Sequence, residues 1–374
     1  MRARRLLVIG ILFAAIAAAA SDGTERWRVL YFYDQLDSSL VINDFKFLTA
    51  KNGVAAGFLI DKNGKIKPTT LTSDDGGQHW RLVPIKDVPL SLFFHGENRG
   101  WLVGDDSLWR SEDGGHTWQK LVKMADAERV YFISAEHGWA VGEEKKAWET
   151  VDGGKTWNEL PAAAKPESSP ERTVYNWIDF AGPDVGIMTG WNPPESSRSG
   201  IPEWVNPPRP SSKRREVPQV SIFLQTRDGG KTWDTTTGSL FGHVTCVRLS
   251  LNGFGLGVIE FSNAFEWPSE IFRIDWTTGK SERVYREKNR LITDVALPPT
   301  GPSYLVGIEK LDRLTDSPVP GKLKVLRSED LANWKEMDVD YRATAHRAMI
   351  SALDDHNLWI ATDTGMILKL AASK

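Results

Sequence analysis

Among 374 residues there is one cysteine, Cys246. A single thiol excludes an internal disulfide and any metal centre built from clustered cysteines. The seven histidines include no His-x-x-x-His pair, so no metal is expected. The stretch DKNG at 61–64 lacks the further ligands of a calcium loop and reads as a turn. There is no phosphate-binding loop and no dinucleotide fingerprint, and hence no cofactor is expected. Positive charge is not in excess: the formal net charge is −3, which argues against nucleic acid as a partner. No long apolar run follows the first twenty residues, so the remainder is not expected to span a membrane.

Those first twenty residues are different in kind. A basic MRARR is followed by the apolar run LLVIGILFAAIAAAA, ending in small residues before Ser21. This is the pattern of a cleaved secretory signal peptide over 1–20, with an Ala-x-Ala site at Ala18–Ala20. The mature domain is then 21–374. Loss of Arg2, Arg4 and Arg5 leaves 43 basic against 49 acidic residues, a mildly acidic mature chain. The expected location is the periplasm or exterior of a bacterium, an oxidising place that a thiol-poor chain suits.

What the chain has in abundance is one phrase. It reads SDDGGQHW at 73–80, SEDGGHTW at 111–118, TVDGGKTW at 150–157 and TRDGGKTW at 226–233, with an eroded copy, SEDLANW, at 328–334. Paired glycines supply positive-φ backbone, and an Asp folds its carboxylate onto nearby N–H groups. Each copy is therefore expected to be a hairpin turn. The Ser or Thr ends the incoming strand and the Trp begins the outgoing one. On this reading Asp75, Asp113, Asp152 and Asp228, with Trp80, Trp118, Trp157 and Trp233, make the fold and carry no chemistry. The phrase resembles the Asp-box, or BNR repeat, of sialidases and related β-propellers.

A second pattern precedes each phrase: GWLVG at 100–104, GWAVG at 138–142, VGIMTG at 185–190 and YLVGI at 304–308. An alternating apolar strand lies further upstream. One repeat is then four short antiparallel strands, a propeller blade. Successive Asp residues lie 38 (Asp75 to Asp113) and 39 (Asp113 to Asp152) positions apart, near a blade's length. The next interval, 76 to Asp228, is accounted for by one Pro-rich insertion at 191–219. In the fifth repeat RIDWTTGK at 273–280 replaces the phrase. The fold class expected is all-β: a single propeller, with seven blades as the leading count and six or eight as alternatives. Residues 346–370 supply three strands of the last blade. WRVLYFYD at 27–34 supplies the fourth, closing the ring with both chain ends and removing an open sheet edge.

Repeated GW-x-VG strands followed by SxDGGxTW are similar to the photosystem II stability and assembly factor family, over roughly 41–340. That resemblance implies a seven-bladed propeller. In the family such proteins occupy the thylakoid lumen, relatives occur in bacteria without photosynthesis, and a basic patch contacts a membrane-protein partner. The motif marks a blade rather than a site.

Three successive repeats lengthen the loop opposite the phrase: 191–219, SNAFEWPSE at 262–270 and KLDRLTDSPVPG at 310–321. Long loops on a rigid scaffold commonly carry binding. The first holds seven Pro, two Trp and five basic residues, too little apolar content for a core of its own. The candidate binding residues are Trp191, Trp204, Arg209, Arg214, Arg215 and Trp267. No catalytic residue is assigned. Glu260, Glu266, Glu270, Glu309 and Asp312 lie near this face and read as solvated or capping carboxylates; a pair of them is what a glycoside hydrolase would need. The Arg-Ile-Pro motif that a sialidase resemblance implies is missing, since Ile201-Pro202 follows Gly200. Cys246, in the alternating strand HVTCVRL, reads as a core residue. The functional expectation is a non-enzymatic, secreted scaffold for a protein partner. The alternative is a carbohydrate-active propeller of sialidase-like or xyloglucanase-like type.

Overall fold

The computed structural model describes residues 25–193, 218–261, 265–310 and 319–371. Seven antiparallel sheets stand in a ring. Six take consecutive strands, beginning at Ser38, Pro89, Ala127, Val174, Gly242 and Arg290. The seventh is closed as the sequence implies. Ala348–Ala352, Leu358–Thr362 and Met366–Ala371 are joined by Arg26–Phe32, which runs antiparallel to the last strand with Arg26 opposite Ala371 and Phe32 opposite Met366.

Blade 6 adds a feature with no sequence signal. Its outer strand divides. Lys335–Glu336 pairs with its own sheet, and then Asp338–Val339 crosses to lie parallel to Arg26–Trp27. The seam beside the chain termini is thus latched by backbone pairing as well as by packing.

The repeated phrases form the turns between third and fourth strands. In each, the Ser or Thr hydroxyl accepts the second glycine's N–H, as in Gly115 N to Ser111 Oγ at 2.8 Å. It donates in turn to the Asp, Ser111 Oγ to Asp113 Oδ1 at 2.8 Å. Asp113 also accepts Thr117 N–H at 2.9 Å and Thr117 Oγ1–H at 2.6 Å. The outgoing strands start one residue after the Trp, at Arg81, Gln119, Asn158 and Asp234. The Trp belongs to the turn because its ring folds back over it: Trp157 Nε1 donates to Gly154 O at 3.0 Å.

These hydrogen bonds hold Asp75, Asp152 and Asp228 down at about 2, against an ordinary 3.8. A depressed carboxyl stabilises the fold above its unfolded pKa and loses that contribution as pH falls through the folded value. Thermal stability is therefore expected to drop between about pH 4 and pH 2, measured by melting scans at constant ionic strength. Asp113→Ala, which orphans the turn's donors, is expected to cost about 1 to 3 kcal/mol at neutral pH, read from urea midpoints.

Buried tryptophans of the second strands lock the turns of blades 1, 3 and 4 to the previous blade. Trp101 Nε1, from blade 2, donates to Gly153 O of blade 3 at 3.0 Å, and its ring stacks on Phe132 at 3.7 Å. Trp359 of blade 7 repeats this on Gly76 O and Phe47 of blade 1. Trp139 of blade 3 packs beneath Gly230 of blade 4, where an added Cβ would lie 2.0 Å from the indole. Gly230 is thus fixed twice, by its φ of +83° and by the ring below it.

Candidate binding surfaces

Antiparallel alternation places the phrase turns on one face of the ring and the second-to-third loops on the other. Of the six candidate residues, Trp204, Arg209, Arg214 and Arg215 lie outside the described residues, as does Asp312. Trp191 is not in a loop. The second strand of blade 4 runs Val185–Asn192 and pairs Trp191 with Ser221, because the apolar alternation of VGIMTGWN continues through it. Its half-buried ring sits 5.1 Å from His243 of blade 5.

Trp267 lies in the blade 5 loop. Its ring carries the Arg286 guanidinium at 3.8 Å. Arg286 is itself held by Glu270 at 3.0 Å, which also binds Arg283 at 3.3 Å. Beside it Phe265 packs against Phe241 and Phe261, at 5.7 and 5.2 Å, with Phe241 45% exposed. Blades 4 and 5 thus present a strip of partly exposed rings. Burial pushes His243 below its ordinary value, against the pull of Glu260, so its imidazole stays neutral beside Trp191.

Among the described residues, the candidate carboxylates on this face are engaged. Glu260 pairs with Arg347 at 3.2 Å, Glu266 with Lys288 at 2.7 Å and Glu309 with Lys324 at 3.1 Å. Lys288 holds Glu266 below its usual range, the opposite of what a glycosidic general acid requires.

A second concentration of charge was not visible in the linear chain. Inner strands of blades 1 to 6 each carry a register shift, at Ile42/Asp44, Pro89/Ser91, Ala127/Arg129, Tyr175/Trp177, Val244/Cys246 and Ile292/Asp294. Bulges re-aim side chains, and here residues one and three places beyond the bulge border the central channel. They include Asp44, Lys46, Arg129, Asp179, Arg248 and Asp294. The three Asp tie neighbouring blades together: Leu92 N–H donates to Asp44 at 2.8 Å, Leu249 N–H to Asp179 at 2.7 Å and Ile350 N–H to Asp294 at 3.0 Å. Burial pushes Asp179 up to about 6. The available signal was a charged residue inside an otherwise apolar inner strand, as in INDFKF. Cys246 also faces the channel, buried, with Sγ donating to Asp294 at 3.5 Å.

No protein-family model matches the chain, and no curated protein matches its sequence. Solved structures do. One described as YCF48 bound to D1 peptide superposes with a TM-score of 0.59 at 14% identity, covering 92% of this chain and 97% of that one. YCF48 from Cyanidioschyzon merolae gives 0.56 at 14% identity over 92% and 98% of the two chains. The WD40 propeller domain of Doa1 gives 0.52 at 9%, over 92% and 96%. At such identity the likeness establishes the propeller architecture. Among the described residues no helix is long and apolar enough to cross a membrane, and no group of three or more His, Cys, Asp or Glu could hold a metal ion.

Proposed function

We propose that this propeller is a non-enzymatic scaffold that binds a protein partner of the cell envelope or exterior. The partner docks on the long-loop face, over blades 4 and 5. The observation that carries this reading is the set of partly exposed rings on blades 4 and 5, with Trp191 against His243 and Trp267 under the ion-paired Arg286. Rigid aromatic anchors beside arginine are the usual hot spots of protein interfaces. In the sequence Trp204, Arg209, Arg214 and Arg215 lie between Asn192 and Gln219, the ends of the second and third strands of blade 4. The likeness to a propeller solved with a peptide supports a protein ligand over a glycan. The location rests on the signal-like sequence of residues 1–20.

The test is capture from an envelope fraction, followed by affinity measurement against the identified partner. Trp191→Ala and Trp267→Ala are each expected to weaken the complex by more than about 1 kcal/mol. Aryl-glycosides and oligosaccharides are expected to survive incubation with the purified protein. Equal affinity of the double variant would remove the loop face from the binding surface. Glycan turnover abolished by one Glu or Asp substitution on this face would replace the scaffold with an enzyme.

A further inference from the structure

The central channel contains cations whose hydrogen-bonding capacity the protein does not use. Trp177 of blade 4 lies between two guanidinium groups, Arg129 at 4.0 Å and Arg248 at 4.9 Å from its ring. Lys46 enters from blade 1, enclosed by the surrounding strands; this enclosure and the nearby Arg248 push its ammonium below its ordinary value. Two adjoining wells of about 350 and 330 Å³ on the turn-side end of the channel share Lys46, Tyr131, Asp179 and Arg248 in their walls.

The acids nearby are committed to backbone donors: Asp179, in the wall of both wells, accepts Leu249 N–H at 2.7 Å, and burial pushes its carboxyl up to about 6. Asp44 already accepts the N–H groups of Phe45 and Leu92 at 2.7 and 2.8 Å, and its contact with Arg129 is long, 3.4 Å. Asp294 likewise accepts from Val295 and Ile350, leaving Arg248 at 3.5 Å. Arg129 Nε is buried with no acceptor. No hydrogen-bonded or ion-paired partner of Lys46 occurs among the described residues. Partly buried cations with idle donors are costly unless an anion completes them, and arginine's planar fork suits an oxyanion.

We propose that the channel binds a small oxyanion of the carboxylate or phosphate class, held by Lys46, Arg129 and Arg248. The wells fit a free small molecule, and this site lies apart from the aromatic strip on the opposite face. It does not depend on the docking reading above.

The experiment uses the full chain with inorganic phosphate and, separately, succinate, each titrated calorimetrically at constant ionic strength. Saturable binding of at least one probe is expected, accompanied by a rise in melting temperature. Lys46→Met and Arg129→Gln are each expected to weaken that binding at least tenfold. If Arg129→Gln fails to fold, Lys46→Met alone decides. Phosphate stabilises many proteins without binding a site. A rise shared equally by parent and variants, or no saturable heat with either probe, overturns the proposal.

Discussion

Removal of residues 1–34 is expected to abolish soluble, monomeric protein. The segment contributes the whole outer strand of blade 7, and Trp27 within it is fully buried among residues of blades 6 and 7, including Val306, Val325 and Leu370. Its backbone carbonyl accepts Asp340 N–H at 2.9 Å, and its indole N–H points at Met337 Sδ at 3.4 Å. Deletion therefore strips the sheet edge of Met366–Ala371 and frees the latch strand Asp338–Val339 at once. The uncovered sequence, MILKLA, has one charge in six residues and the apolar character of an aggregation-prone edge. Size-exclusion chromatography of the expressed chains checks this. The control replaces residues 194–217 by a short Gly-Ser link. Asn192 and Val220 are already paired neighbours, so a hairpin link spans them, and soluble yield is expected to hold. Equal yields from both chains would mean that the ring does not need its N-terminal strand.

Trp359→Ala is expected to be the most damaging single substitution among the tryptophans, costing about 3 to 5 kcal/mol. The side chain is fully buried. It stacks on Phe47 at 3.7 Å and an interplanar angle of 6°, donates to Gly76 O at 2.9 Å and carries Lys369 Nζ at 4.7 Å over its face. Removing it loses apolar burial and leaves a void under the first turn. It also loosens the junction of blades 7 and 1, next to the seam that the chain ends already interrupt. Urea denaturation followed by far-UV circular dichroism measures the cost. Trp267→Ala, on the opposite face and only half-buried, is expected to shift the midpoint far less. A loss below about 1 kcal/mol for Trp359→Ala would mean that the stacked tryptophans are not what joins the blades.

The turns were legible because their physics is local. The Ser or Thr hydroxyl, the Asp carboxylate and the N–H groups that they engage in a Ser/Thr-x-Asp-Gly-Gly-x-x-Trp turn lie within eight residues, so the phrase carries most of its own conformation wherever it occurs. Blade number followed from spacing. The closing strand followed from counting, since a last repeat with three strands needs a fourth and only the N-terminal segment was unassigned. Trp191 was misplaced for a local reason too: proline at 193 and 194 reads as loop, while pairing with Ser221 holds the strand for two residues after Gly190.

The amino-acid sequence by itself thus determined the turns, the four-stranded repeat and the closure of the ring, and favoured seven blades over six or eight. Only the tertiary structure decided where the second-strand tryptophans go, because their partners are the glycines and phenylalanines of the next blade, with Trp101 reaching Gly153 and Trp359 reaching Gly76. Only it could gather Lys46, Arg129 and Arg248 around Trp177. Those residues belong to four different blades, and no periodicity links them. A bulge turns each inner strand's polar side chains inward, and closure of the ring then brings together charges that lie far apart along the chain.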